Sequence, residues 1–165
     1  MHLVFSAFPY LDRRSHMSGE ALVIGVGNEF RRDDGVGLAV AAAISERGLP
    51  GVRVMIAMGE PASILEAWSG MPVAIAVDAA RCSGGTPGTI RRWTPDEDAE
   101  TVIVSSHALG LSETYALGRA VGQIPLELVV FTVDVDDVGH GIGLTAAVAN
   151  AVPAVAEAVI AELEG

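Results

Sequence analysis

The chain has no lysine, and all ten of its basic residues are arginine. That excludes a P-loop lysine, a Schiff-base lysine and any catalytic lysine. There is a single cysteine, Cys82, which excludes an internal disulfide and a thiolate zinc cluster. One thiol suits a reducing compartment, and a cytoplasmic location is expected. Positive charge is scarce: ten basic residues stand against 21 acidic ones, a net charge of −11. Phosphate neutralisation needs clustered cations, so nucleic acid is not an expected partner. No apolar run approaches the roughly 20 residues that span a bilayer, and no membrane partner is expected.

What is present is enough to build a core. Half of the 165 residues are hydrophobic and 19% are charged, which excludes intrinsic disorder and fits one domain. Nineteen glycines imply tight turns and close backbone approaches. The start, MHLVFSAFPYLDRRSHM, lacks the basic region and small-residue cleavage site of a secretory signal. Residues 1–17 are expected to be an extension outside the fold, which sets aside His2 and His16, and 18–165 to form a single domain.

Apolar runs at Ala21–Gly27, Val52–Met58, Val73–Ala79, Thr89–Trp93 and Leu126–Val133 read as strands, the fourth as an edge because of Arg91 and Arg92. Helical spacing covers Asp34–Arg47, Pro61–Trp68, Leu109–Val121 and the stretch from Thr145 to Leu163. Asp34 is expected to cap the first helix and Ser106 the third, while Pro153 should kink or restart the last. Strands alternating with helices predict an α/β three-layer sandwich around a mostly parallel sheet. Sites in such sheets form at the carboxyl ends of strands, so the loops after Gly27 and Val77 are where chemistry is expected.

The first of these loops runs G-V-G-N-E-F-R-R-D-D-G-V-G from Gly25 to Gly37. It starts like a dinucleotide fingerprint but has Phe30 where the third glycine belongs. Asp33 and Asp34 would repel a phosphate at the helix start, so no nucleotide is expected. The pair is either an acidic helix cap or part of a site. Asp78 ends an otherwise apolar strand, where a carboxylate is rare unless used or paired. His107, if Ser106 caps its helix, lies where the dipole keeps imidazole neutral and able to ligate metal. His140 sits in a glycine-rich loop and reads as surface, with a substrate contact as the lesser option.

Asp34, Asp78 and His107 together form a mixed oxygen and nitrogen set suited to nickel, zinc or manganese. The same carboxylates could instead do acid–base work on a water without a resident metal. The remaining polar features are blander. Cys82 lacks an activating neighbour beyond Arg81, and Ser105 and Ser106 beside His107 do not make a triad. Trp68 and Trp93 read as packing residues and the acidic run 96–100 as a solvated loop. Asp134, Asp136 and Asp137 lack EF-hand spacing.

Four motifs in this order resemble the nickel–iron hydrogenase maturation endopeptidases. They are V-I-G-V-G-N-E-F-R-R-D-D-G-V-G, V-D-A followed by P-G-T-I at 87–90, S-H-A-L-G-L at 106–111, and G-I-G-L-T at 141–145. The resemblance covers roughly Ala21 to Leu163. It implies a twisted, mostly parallel five-stranded sheet between helices. It also implies removal of a C-terminal extension from a hydrogenase large-subunit precursor after nickel insertion. Asp34, Asp78 and His107 fall on the family's metal-binding positions, with Asp34 and Asp78 as the carboxylates available for catalysis, in an aspartic-type or metal-assisted scheme. Nickel would be supplied by the precursor, and the protein is expected to act as a monomer. Where many relatives carry a D-G-G-T-like segment, this chain reads Ala57-Met58-Gly59-Glu60-Pro61-Ala62 and matches at Gly59; the resemblance implies that this loop is expected to help shape the substrate cleft. The alternatives are a non-catalytic, nickel-dependent checkpoint factor that docks the precursor without cutting, and a peptidyl-tRNA-hydrolase-like hydrolase. This chain shares the second's G-x-G-N start but lacks the histidine expected soon after it.

Overall fold

The computed structural model describes residues 21–81, 84–95 and 110–165. Ser105, Ser106, His107, Cys82 and the acidic run 96–100 lie outside these residues. Five strands form one sheet in the order β2-β1-β3-β5-β4. They are β1 (Ala21–Val26), β2 (Val52–Ala57), β3 (Val73–Ala80), β4 (Ile90–Trp93) and β5 (Glu127–Asp134). All neighbours are parallel except β4, which runs antiparallel to β5. The helices are α1 (Val36–Glu46), α2 (Pro61–Trp68), α3 (Leu111–Val121) and α4 (Ala146–Glu164). A 3-10 turn, Arg32–Gly35, precedes α1. The predicted α/β sandwich is the observed fold.

Burial follows strand position. Every residue of β1 and β3 is buried, because both faces are covered, whereas the outer strands β2 and β4 carry exposed Arg53, Arg91 and Arg92. One face of the sheet presents Val23, Ile75, Val77, Val129 and Val133 to Val40 and Ile44 of α1 and Val155 and Val159 of α4. The other presents Leu22, Ile24, Ala76 and Val130 to Ile64, Leu65 and Trp68 of α2 and Leu111 of α3. Trp68 is a packing residue, as expected. It is fully buried, its Nε1 donates to the Gln123 carbonyl at 2.9 Å, and its ring meets Tyr115 edge-on.

Three local expectations are corrected. Asp34 does not cap α1. It lies inside the 3-10 turn, the cap position is Gly35, and no side chain caps that helix. The third helix begins at Leu111 with Gly110, rather than the expected Ser106, at its cap position. Of the two outcomes expected at Pro153, a restart does not occur, and α4 runs through it unbroken. It faces solvent, as does Ala149, whose carbonyl loses its helical partner to the proline and can be met by water. Among the described residues α4 is also the one helix long and apolar enough to cross a membrane by composition. Its apolar stripe is spent on the sheet, with Val148, Val155, Val159 and Leu163 buried.

Candidate functional site

The strand order places a topological switch point between β1 and β3: the chain leaves β1 for β2 on one side and returns to β3 on the other. Ligand crevices open at such points, at the carboxyl ends of the strands. Asp34 lies on the loop that follows β1, and Asp78 lies near the end of β3. Glycine makes the approach close enough. A Cβ at Gly37 would stand 2.3 Å from the Val26 carbonyl oxygen and 2.4 Å from that of Val77, so only glycine seats the start of α1 on both strand ends. The fingerprint-like glycines therefore serve helix–sheet contact.

The two adjacent aspartates face different partners, and both are fully buried. Asp34 Oδ2 accepts the Asn28 backbone N–H at 3.0 Å. Asn28 is held by its own Oδ1, which accepts the Phe30 N–H at 2.9 Å. Asp33 instead reaches the loop after β5. Its Oδ1 accepts the Thr145 N–H at 2.7 Å, and its Oδ2 accepts the Thr145 hydroxyl at 2.9 Å. The Asp137 N–H adds a longer bond at 3.4 Å. The backbones of the two loops are also joined: Arg32 N–H donates to Gly141, Gly141 N–H to Phe30, and Asp33 N–H to Asp137. Arg32 holds a left-handed φ of 48°, a strained conformation for a residue with a side chain, and its Nε donates to the His140 carbonyl. Asp33 is thus the residue that fixes the loop carrying Asp34.

Asp78 is almost wholly buried, and its Oδ1 accepts the following Ala79 N–H at 2.8 Å. Of the other acidic candidates, Asp136 is exposed and Asp134 and Asp137 are engaged by protein contacts. Asp134 is held bidentately by Arg91 at 3.2 and 3.0 Å. Asp137 accepts the Gly139 N–H and lies 3.7 Å from Arg32 Nε. Among the described residues no three His, Cys, Asp or Glu side chains gather as a ligand cluster. Asp34 and Asp78 supply two carboxylates at one end of the sheet, and His107 lies outside the described residues. His140 is exposed, as expected. Phe30, Met58 and Ile142 expose apolar side chains on the loops at this same end of the sheet, Ile142 to 77%.

Sequence reasoning missed Asn28, Asp33 and Thr145 as the frame of the site. The neighbouring D-D and the closing G-L-T were visible, but their pairing spans more than a hundred residues and has no local signature.

The hydrogenase maturation protease (HycI) family model matches residues 49–162. The chain is 29% identical over 147 residues to the hydrogenase 2 maturation protease of Escherichia coli (strain K12), covering 86% of this chain and 89% of that protein. It is similar in structure to the hydrogenase maturating endopeptidase HybD from E. coli, with 26% identity, a TM-score of 0.72, and coverage of 87% and 91%. A [NiFe] hydrogenase maturation protease from Thermococcus kodakarensis shares the fold at 19% identity and a TM-score of 0.69, over 86% of this chain and 97% of that one. With two buried carboxylates at the switch point and a family model that matches most of its length, this chain belongs to the hydrogenase maturation proteases and is a peptidase of that family.

Proposed function

We propose that this peptidase removes the C-terminal extension of a nickel–iron hydrogenase large-subunit precursor, guided by nickel already bound in that precursor. The observation that carries the reading is the pair of buried carboxylates, Asp34 and Asp78, on the loop after β1 and at the end of β3. His107 is the third ligand that the family resemblance supplies. Two oxygens and an imidazole nitrogen suit a borderline divalent ion such as nickel. Nickel is part of the substrate in this scheme, and its role is to hold the precursor in register with the carboxylates.

The chemistry then needs orientation and one proton acceptor. Docking fixes the scissile peptide beside the carboxylates, which removes the entropic cost of a bimolecular encounter. A water attacks the scissile carbonyl carbon while one of Asp34 and Asp78 takes its proton. The same carboxyl returns that proton to the departing amide nitrogen, and the C–N bond breaks to give an acid and an amine. Apolar Phe30, Met58 and Ile142 around the mouth suit a peptide segment of a protein substrate. The segment Ala57–Ala62, which departs from the family pattern, lies at the carboxyl end of β2 and would tune which precursor fits.

The test is cleavage of the precursor from the same genome, with and without nickel loading, followed by mass measurement of the product. Nickel-dependent loss of a C-terminal peptide at substoichiometric protein is the expected result. A stable complex without cleavage would overturn the enzymatic reading in favour of a checkpoint factor.

A further inference from the structure

A buried hydroxyl next to Asp78 has no hydrogen-bond partner. Thr132 is 2% exposed on β5, and its Oγ1 makes no hydrogen bond. Idle polar groups in a closed core cost free energy, and each one calls for an explanation. Register shows what it adjoins. Asp78 pairs with Thr132 across β3 and β5, and Thr132 pairs with Arg91 across β5 and β4. Paired residues in neighbouring strands point to the same face, about 4.8 Å apart. Asp78, Thr132 and Arg91 therefore form one row on the face where Ala76 and Val130 meet α2 and α3.

The chemistry of that row selects the hydroxyl's target. Arg91 is a donor only, and its guanidinium is bound to Asp134 by two hydrogen bonds. Asp78 is an acceptor. The Thr132 hydroxyl is too occluded for a substrate to reach, so it can act only through a neighbour. Valine would fill the same volume on a β-strand and leave nothing unsatisfied, which makes threonine here a choice against stability.

We propose that Thr132 is a positioning residue of the site: its hydroxyl donates to the Asp78 carboxylate when that carboxylate engages its ligand, and so fixes the direction of its working oxygen. This rests on the function proposed above. It extends that reading to a residue with no contact to the precursor.

The experiment compares wild type, Thr132→Val and Thr132→Ser in three measurements: thermal unfolding, precursor cleavage, and titration with Ni2+ alone. Thr132→Val is expected to unfold at or above the wild-type temperature. It should lose about tenfold in kcat with KM nearly unchanged, the loss of a hydrogen bond to a charged group, and bind Ni2+ about tenfold more weakly. Thr132→Ser, which keeps the hydroxyl, should recover both to within about threefold. Wild-type cleavage and Ni2+ affinity in Thr132→Val would overturn the proposal and leave the proposed function standing. A lowered unfolding temperature with activity not recovered by serine would overturn it in favour of packing. Should wild type bind Ni2+ but cut no precursor, the proposed function fails, and the Ni2+ titration alone decides Thr132. Should wild type neither cut nor bind, both are overturned.

Discussion

Gly37→Ala tests whether the start of α1 must touch the strand ends. The added methyl would meet two backbone oxygens, Val26 at 2.3 Å and Val77 at 2.4 Å. Neither can rotate away, because both belong to fully buried strands. Relief requires lifting the helix by about 1 Å, the shortfall from an ordinary contact. Overpacking of this kind costs about 3 kcal/mol. Helix propensity works the other way and favours alanine by about 1 kcal/mol. The net loss of about 2 kcal/mol should lower the unfolding temperature by about 4 to 8 °C for a domain of this size. The lift also carries the loop of Asp34 away from Asp78, and a misplacement of about 1 Å can cost about a hundredfold in rate. Gly48→Ala is the control. Gly48 has a left-handed φ of 57° and open space around it. Alanine there should cost about 1 kcal/mol of backbone strain and leave cleavage unchanged. Thermal denaturation and a precursor gel assay read both effects. A Gly37→Ala protein that melts at or above wild type and cuts at the wild-type rate would refute the close approach.

The other variants separate the site from its frame. Asp34→Asn and His107→Ala are each expected to abolish precursor processing while circular dichroism and the unfolding transition stay those of wild type. Near-wild-type cleavage by either would refute the ligand assignment. Asp33→Asn turns an amide donor towards the Thr145 and Asp137 donors, at a cost of about 2 kcal/mol by urea denaturation. An unchanged urea midpoint would refute the clamp. Arg91→Met strands the buried Asp134 carboxylate and should destabilise by about 3 kcal/mol. Adding Asp134→Asn should recover part of that loss, and no recovery in the double variant would refute the pairing.

The fold was legible because its signals are local. Buried central strands are continuous apolar runs, and edge strands betray themselves by charge, as Arg91 and Arg92 do on β4. Strand order is not written locally, yet it decides that the loop after β1 and the end of β3 come together at one end of the sheet. Boundaries moved where capping was read from residue type alone. Asp34 is a good cap by chemistry, but the loop's pairing with Gly141 and Asp137 turns residues 32–35 into a 3-10 turn and buries its carboxylate. Thr132 shows the other limit. Nothing in E-L-V-V-F-T-V-D distinguishes its hydroxyl from any strand threonine, and only the register with Asp78 gives it meaning.

The D-D dipeptide joins both lessons. From sequence, its two carboxylates could be one acidic cap or one site. In the structure neither description covers both. Adjacent residues of a tight turn point in different directions, so Asp33 faces the start of α4 while Asp34 faces Asn28 after β1. Asp33 accepts three donors from the 137–145 loop, which satisfies a buried carboxylate and ties that loop to the one bearing Asp34. In the proposed site Asp34 has to hold still although its loop is irregular, and the rigidity is provided by its neighbour. The loop's glycines serve the same end from below, by letting α1 rest on the strand ends. The proposed site is therefore built from one carboxylate that is presented and one that is consumed in presenting it.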